Sequence, residues 1–75
     1  MTTTDVLVHL DETLNQPALE SVENDIRHSK GVVSAGHRSD KPHLLQVIYD
    51  SDTTRMADIV TDVRQHGLHA QAIGL

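Results

Sequence analysis

The chain has 75 residues, no cysteine and one aromatic residue, Tyr49, so its length suits one small domain with an aliphatic core. The lack of cysteine excludes disulfides, thiolate metal sites and cysteine nucleophiles. A net charge of −5 disfavours nucleic acid and anionic membranes as partners, because both require a basic surface. The six histidines are the compositional excess that needs an explanation.

The first half of the chain predicts a strand, a helix and a second strand. Apolar residues alternate over residues 5–11, as in a half-buried strand. Pro17 suits the first turn of a helix, and Gly31 is its predicted stop. One apolar helical face, with i, i+3, i+7 spacing, comprises Leu19, Val22 and Ile26. Residues 32–38 form the second predicted strand.

The second half repeats this pattern of strand, helix and strand. Residues 44–50 give the clearest strand signal, and residues 68–73 the last one. The candidate N-caps of the second helix are Ser51, Asp52 and Thr53. Its apolar face comprises Met56, Ile59, Val60 and Val63. Gly67 is the predicted end of this helix.

The order β-α-β-β-α-β predicts an α+β fold, a ferredoxin-like sandwich with two helices on one face of a four-stranded antiparallel sheet. The expected strand order is 4-1-3-2. Residues 1–4 are expected to be disordered, and residues 5–75 to form a single domain. The start of the chain has no basic region and only a short apolar run, so we expect neither a signal peptide nor a membrane helix, and a cytoplasmic location.

The sequence resembles the heavy-metal-associated domains, the copper-chaperone-like family, over residues 6–73. The matching segments are Val22-Glu23, Gly31-Val32, Val47-Ile48-Tyr49-Asp50 and Gly67-Leu68-His69-Ala70, together with Ile59 and Val63. The resemblance implies the same sandwich fold and places Tyr49 in the core beneath the helices.

The metal motif of that family is missing. The resemblance implies a Cys-x-x-Cys pair in the loop before the first helix, and its two positions fall on Asn15 and Ala18. The loop that matches the family metal site comprises Asn15, Gln16, Pro17 and Ala18. An alanine has no donor atom, and an amide is a hard, weak ligand. The resemblance therefore implies a divergent member of the family that does not bind soft metals.

Strand alternation also predicts an exposed, partly apolar face on the sheet. The side chains expected there are Leu7, Leu44, Gln46, Ile48, Gln71 and Ile73, around His9 and His69. Such a patch on a soluble domain marks an interface. We therefore predict a non-enzymatic interaction or accessory module that forms a homodimer, or binds a partner protein, through this face.

The histidines offer an alternative function. With strands 1 and 4 adjacent, His9 and His69 can approach each other and begin a Zn, Ni or Cu(II) site, or act as a pH switch across a dimer. Otherwise no cofactor is expected. His28 and His66 fall at helix ends, where an imidazolium is favoured by the helix dipole. His37 and His43 flank the turn between the second and third strands.

An enzyme and a small-ligand regulatory domain are two further function classes. The chain has no phosphate loop and no nucleophile arrangement, so we do not expect an enzyme. The segment Pro17-Ala18-x-x-x-Val22 also resembles the first helix of ACT regulatory domains, which bind small ligands at dimer interfaces. Ala18 stands where that family has glycine, which counts against this reading.

Overall fold

The computed structural model describes residues 2–73, and these residues contain six elements in the predicted order. The strands are β1 (Thr3–Leu10), β2 (Val32–Gly36), β3 (Leu44–Asp50) and β4 (Ala70–Ile73), and the helices are α1 (Gln16–Arg27) and α2 (Met56–Arg64). The strands pair antiparallel in the order β2-β3-β1-β4, as predicted. Both helices pack on one core with the inward residues of the sheet, so the ferredoxin-like fold is confirmed.

The core is built by strict alternation along the two central strands. Val6, Val8 and Leu10 of β1 are at most 4% exposed, while the intervening Leu7 and His9 are only half-buried. In β3 the buried residues are Leu45, Val47 and Tyr49. Successive side chains of a strand point to opposite faces, so one face of each strand joins the helices and the other is left open. The predicted core position of Tyr49 is confirmed.

The N-terminal expectation was wrong for the residues that the structure describes. Thr3 and Thr4 belong to β1 and pair with Asp50 and Tyr49 of β3. The Ser51 amide donates a hydrogen bond to the Thr2 carbonyl at 2.8 Å, which extends the pairing by one residue. Threonine suits a pleated surface, and the run of three supplies β-branched side chains. Met1 and residues 74–75 lie outside the described residues.

Both helices end earlier than their glycines. Helix α1 ends at Arg27 with His28 as C-cap, and Gly31, three residues beyond that cap, turns the chain into β2 with a φ of 86°. Helix α2 ends at Arg64 with Gln65 as C-cap, and Gly67 has a φ of 80°. The glycines are therefore required by the turns that follow the helices, because a positive φ is strained for other residues.

Helix α2 also begins later than expected. The three predicted caps form a turn instead, because the Asp50 carboxylate accepts hydrogen bonds from the Asp52 amide (3.0 Å) and the Thr53 hydroxyl (2.9 Å). The N-cap is Arg55, whose side chain makes no capping hydrogen bond. Short polar side chains often close such local turns, which compete with helix capping.

The two outer strands are shorter than predicted. Strand β2 ends at Gly36, because His37 turns to bind Glu23 of α1. Strand β4 begins at Ala70, because the backbone amide of His69 donates to the Glu12 carboxylate instead of to a neighbouring strand.

An arginine fastens each helix to the strand that follows it. Nε of Arg27, the last residue of α1, donates to the carbonyl of Ala35 in β2 at 2.9 Å. Nε of Arg64, the last residue of α2, donates to the carbonyl of Ala70 in β4 at the same distance. The same arginine-to-carbonyl hydrogen bond therefore joins helix and strand in both halves of the chain.

Alanine substitutions at Gly31, Gly67 and Gly36 test whether the turns after the helices require glycine. A Cβ at Gly31 would lie 3.0 Å from the Cγ2 atoms of Thr53 and Thr54, whereas a Cβ at Gly67 or Gly36 meets nothing within 4 Å. We expect Gly31→Ala to lower the free energy of unfolding by about 2 kcal/mol or more, from backbone strain plus crowding. Gly67→Ala should cost about 1 kcal/mol, from strain alone.

Gly36→Ala is the matched control, because Gly36 has no positive φ and an open environment. Its effect should stay within about 0.5 kcal/mol. Urea unfolding of the three variants measures the series. Equal costs at Gly31 and Gly67 would show that the two threonines do not crowd the turn.

Candidate functional site

The loop that corresponds to the family metal site is built as a helix cap. Oδ1 of Asn15 accepts the amide N–H of Ala18 at 2.9 Å, and Pro17 occupies the first turn of α1. This is the usual N-cap geometry, in which a side-chain oxygen satisfies an amide that has no partner within the helix. The two positions where the resemblance implies cysteines are therefore joined by a capping hydrogen bond. The loop offers no soft donor for Cu(I), so the residues do not fit that ion.

An ion pair joins Glu12, in the segment between β1 and α1, to His69, which directly precedes β4. Nδ1 of His69 lies 2.6 Å from Oε2 of Glu12, and the same carboxylate accepts the His69 amide at 2.9 and 3.1 Å. These hydrogen bonds lower the pKa of Glu12 from its usual 4.5. The hydrogen bond to Glu12, then the charges of Glu12 and Asp11, raise the pKa of His69 from its usual 6.5. The His69 side chain is 81% exposed, so the pair is a surface contact.

His9 lies apart from this pair. In the register of β1 and β4 it is opposite Gln71, and its ring stacks on that of His43 at a centroid distance of 6.2 Å. Its Nδ1 is buried without a hydrogen bond, although Oδ1 of Asp11 lies 3.4 Å away. His43 donates from Nδ1 to the carbonyl of Leu10 at 3.0 Å.

The two proposed metal ligands therefore have separate partners, His43 for His9 and Glu12 for His69. Among residues 2–73 no group of three or more histidines and acids is placed to hold a metal ion. Metal binding through His9 and His69 stays a prediction.

The two helix-end histidines both contact α1. His28 is the C-cap of α1 and donates from Nδ1 to the Asn24 carbonyl at 2.6 Å. His66 follows the C-cap of α2, with Nε2 3.3 Å from Oδ2 of Asp25 on the other helix. The His28 contact is local, whereas the His66 contact joins the two helices. A favourable effect of the helix dipole on these histidines stays a prediction.

A buried hydrogen bond between a glutamate and a histidine was missed by the sequence reasoning. Glu23 of α1 is 2% exposed, and its Oε2 accepts a hydrogen bond from Nδ1 of His37 at 2.5 Å. A guanidinium nitrogen of Arg27 lies 4.0 Å from the other oxygen, Oε1. The sequence held one signal for this contact. Glu23 falls at the i+4 position from Leu19, on the stripe that is otherwise apolar, so its carboxylate has to be buried with a partner.

The sheet face turned away from the helices, here called the open face, carries the side chains predicted for it. Leu7, Leu44 and Ile48 are half-buried, and Ile73 is 38% exposed. Gln46 and Gln71 are exposed between them. The carboxylates that alternate onto this face, Asp5 and Asp50, lie toward one end of it, and Asp5 accepts a hydrogen bond from Nε2 of Gln46 at 3.2 Å.

Comparison with solved structures identifies the class of fold. A copper-binding domain from HMA7, a P-type ATPase, has a TM-score of 0.83 and 18% sequence identity over 93% of each chain. Oxidized MerP from Ralstonia metallidurans CH34 has a TM-score of 0.84 and 14% identity, over 97% of this chain and 100% of its own. The copper chaperone of Enterococcus hirae, in its apo form, has a TM-score of 0.80 and 15% identity, over 91% and 98%.

The chain therefore has the fold of the heavy-metal-associated domains, as the sequence resemblance predicted, and it carries that fold without a cysteine. No protein-family model and no curated protein matches the sequence. Within residues 2–73, neither helix is long and apolar enough to span a membrane.

The Glu12–His69 pair predicts a pH window for its contribution to stability. Because the pKa of Glu12 is lowered in the folded state, its ionised carboxylate stabilises the fold above pH 4.5, the usual pKa. This stabilisation is lost as the pH falls through the lowered pKa. Because the pKa of His69 is raised in the folded state, its protonated ring stabilises the fold below pH 6.5, the usual pKa. This stabilisation is lost as the pH rises through the raised pKa. The contribution is therefore greatest between these two usual values.

We expect Glu12→Gln to move the pKa of His69 back down toward 6.5, because the main hydrogen bond and charge are removed. An NMR titration of the His69 ring measures the shift. Asp58→Asn, in the first turn of α2, is the control and should leave the His69 titration unchanged. An unchanged His69 pKa in Glu12→Gln would contradict the contact.

Proposed function

We propose that this chain is a heavy-metal-associated domain without a soft-metal site, and that it acts as a non-enzymatic interaction module by pairing with a second copy through its open face. The observation that carries this proposal is the composition of that face. Its centre presents aliphatic and amide side chains, while the chain as a whole has 11 acids and six bases. Depletion of charge at the centre of a patch is typical of interface cores.

Self-association fits the chemistry of the open face. Leu7, Ile48 and Ile73 supply apolar area along β1, β3 and β4. The amides of Gln46 and Gln71 each contain donors and an acceptor, so each can pair with its own copy across a twofold axis. A second sheet stacked about 10 Å away would bury these residues on both copies at once. The net charge of −5 does not oppose this arrangement at the contact, because the acids lie mostly outside the patch centre.

The capped loop supports a function other than copper delivery. The related structures include a copper chaperone and a copper-binding ATPase domain. In this chain the corresponding loop uses Asn15 to close α1 and offers Ala18, which has no donor, at the second position. We infer that the fold has been retained while soft-metal transfer has been lost.

Ile73→Asp tests the interface, because Ile73 is exposed on the open face and the substitution should not disturb the core. We expect the dimer dissociation constant to rise by about tenfold or more, since a charge would be buried against aliphatic side chains. Sedimentation velocity over a concentration series measures it.

Met56→Asp is the matched control, because Met56 is 45% exposed at the start of α2, away from the sheet. It should dimerise like the unmodified chain. A monomer at every concentration, or equal effects of the two substitutions, would contradict an interface on the open face.

The double substitution Asn15→Cys/Ala18→Cys tests the loop. We expect it to create Cu(I) binding, because two thiolates at these positions supply the soft ligands that the chain lacks. The matched control, Asn15→Ser/Ala18→Ser, retains a capping side chain but no soft donor and should not bind. Competition with a coloured Cu(I) chelator measures both variants and the unmodified chain.

Cu(I) affinity in the unmodified chain equal to that of the cysteine variant would overturn the proposed loss. A folded cysteine variant that gains no affinity would show that this loop does not have the geometry of a metal loop.

A further inference from the structure

A groove opens beside the β2 end of the open face. Its volume is about 500 Å³, which lies within the range of small-molecule sites. Its apolar floor is formed by Leu7, Leu44 and Ile48, and its rim by His37, Arg38 and Lys41 of the segment between β2 and β3. An aliphatic floor beside basic side chains is unusual in a chain with a net charge of −5.

The charges at this rim leave one cation without a partner. Nε of Arg38 lies 3.2 Å from Oδ1 of Asp40, so these two charges offset each other. Among the described residues, Lys41 forms no ion pair, and it lines the same groove. The site therefore has a single positive charge available for a ligand, beside an apolar surface.

The buried Glu23–His37 pair makes the rim a preorganised structure. His37 has a 10% exposed side chain, and the hydrogen bond from its Nδ1 to the buried Glu23 fixes the ring. Glu23 accepts the hydrogen bond from His37, lies 4.0 Å from Arg27 and does not line the groove, so it does not repel an anion there.

We infer that this groove binds a small organic carboxylate with an aliphatic body, its carboxylate on Lys41 and its apolar part on Leu7, Leu44 and Ile48. The chemistry follows from one uncompensated cation at the edge of an aliphatic floor. The groove is formed within one chain, and its floor shares Leu7 and Ile48 with the proposed dimer contact, so we expect ligand binding and self-association to compete.

Three probes with the same apolar body test this inference: hexanoate, hexanol and hexylammonium. Each is titrated into the ¹⁵N-labelled chain, and amide shifts at Leu7, Leu44 and Gln46 report binding. We expect saturable shifts with hexanoate, weaker binding of hexanol, and none of hexylammonium, because only the carboxylate matches Lys41. The same titration on Ile73→Asp, whose substitution lies outside the groove lining, separates ligand binding from self-association.

Lys41→Gln should raise the dissociation constant for hexanoate about fivefold, which is the loss of affinity expected when one partly exposed charge contact is removed. Lys30→Gln removes the other lysine of the chain, which lies between α1 and β2 and does not line the groove, and should have no effect. Equal effects of the two lysine substitutions, equal affinity for hexanol, or no saturable shift with millimolar hexanoate would each overturn the inference.

Discussion

Both helices cover the same face of the four-stranded sheet, and this constraint governs the rest of the molecule. Each strand must place its aliphatic side chains on the covered face, which is why Val8 and Leu45 are fully buried at the centre of β1 and β3. The alternate side chains are then committed to the opposite face, whatever their chemistry. The partly apolar open face is a direct outcome, and both the proposed interface and the groove are located there.

The parts of the fold that depend on local periodicity were predictable from the sequence. Alternation predicted β3 with its correct bounds, and the apolar stripe predicted α1 and α2. The helix caps were harder to predict from the sequence, because Asn15 and Ser51 both precede helical segments and have similar capping propensity. Asn15 caps α1, whereas the segment after Asp50 is drawn into a turn by the Asp50 carboxylate.

The partners of the histidines were not predictable in the same way. His9 stacks on His43 and His69 binds Glu12, and both contacts join segments that are more than 30 residues apart. Side-chain direction at the end of a strand decides such contacts, and periodicity does not encode it. Glu23 is the instructive exception, because a carboxylate on an apolar helical stripe already implies a buried partner.

The arginines that end the two helices bear on how copies of this chain can meet. Arg27 and Arg64 each hold a carbonyl of an outer strand, β2 and β4, and each places a guanidinium beside a border of the sheet. Cationic side chains along unpaired strands are a common natural defence against strand-by-strand aggregation. Lysine would keep the charge but would lose the Nε–H bond. Continuous β-sheet growth through β2 or β4 is therefore disfavoured.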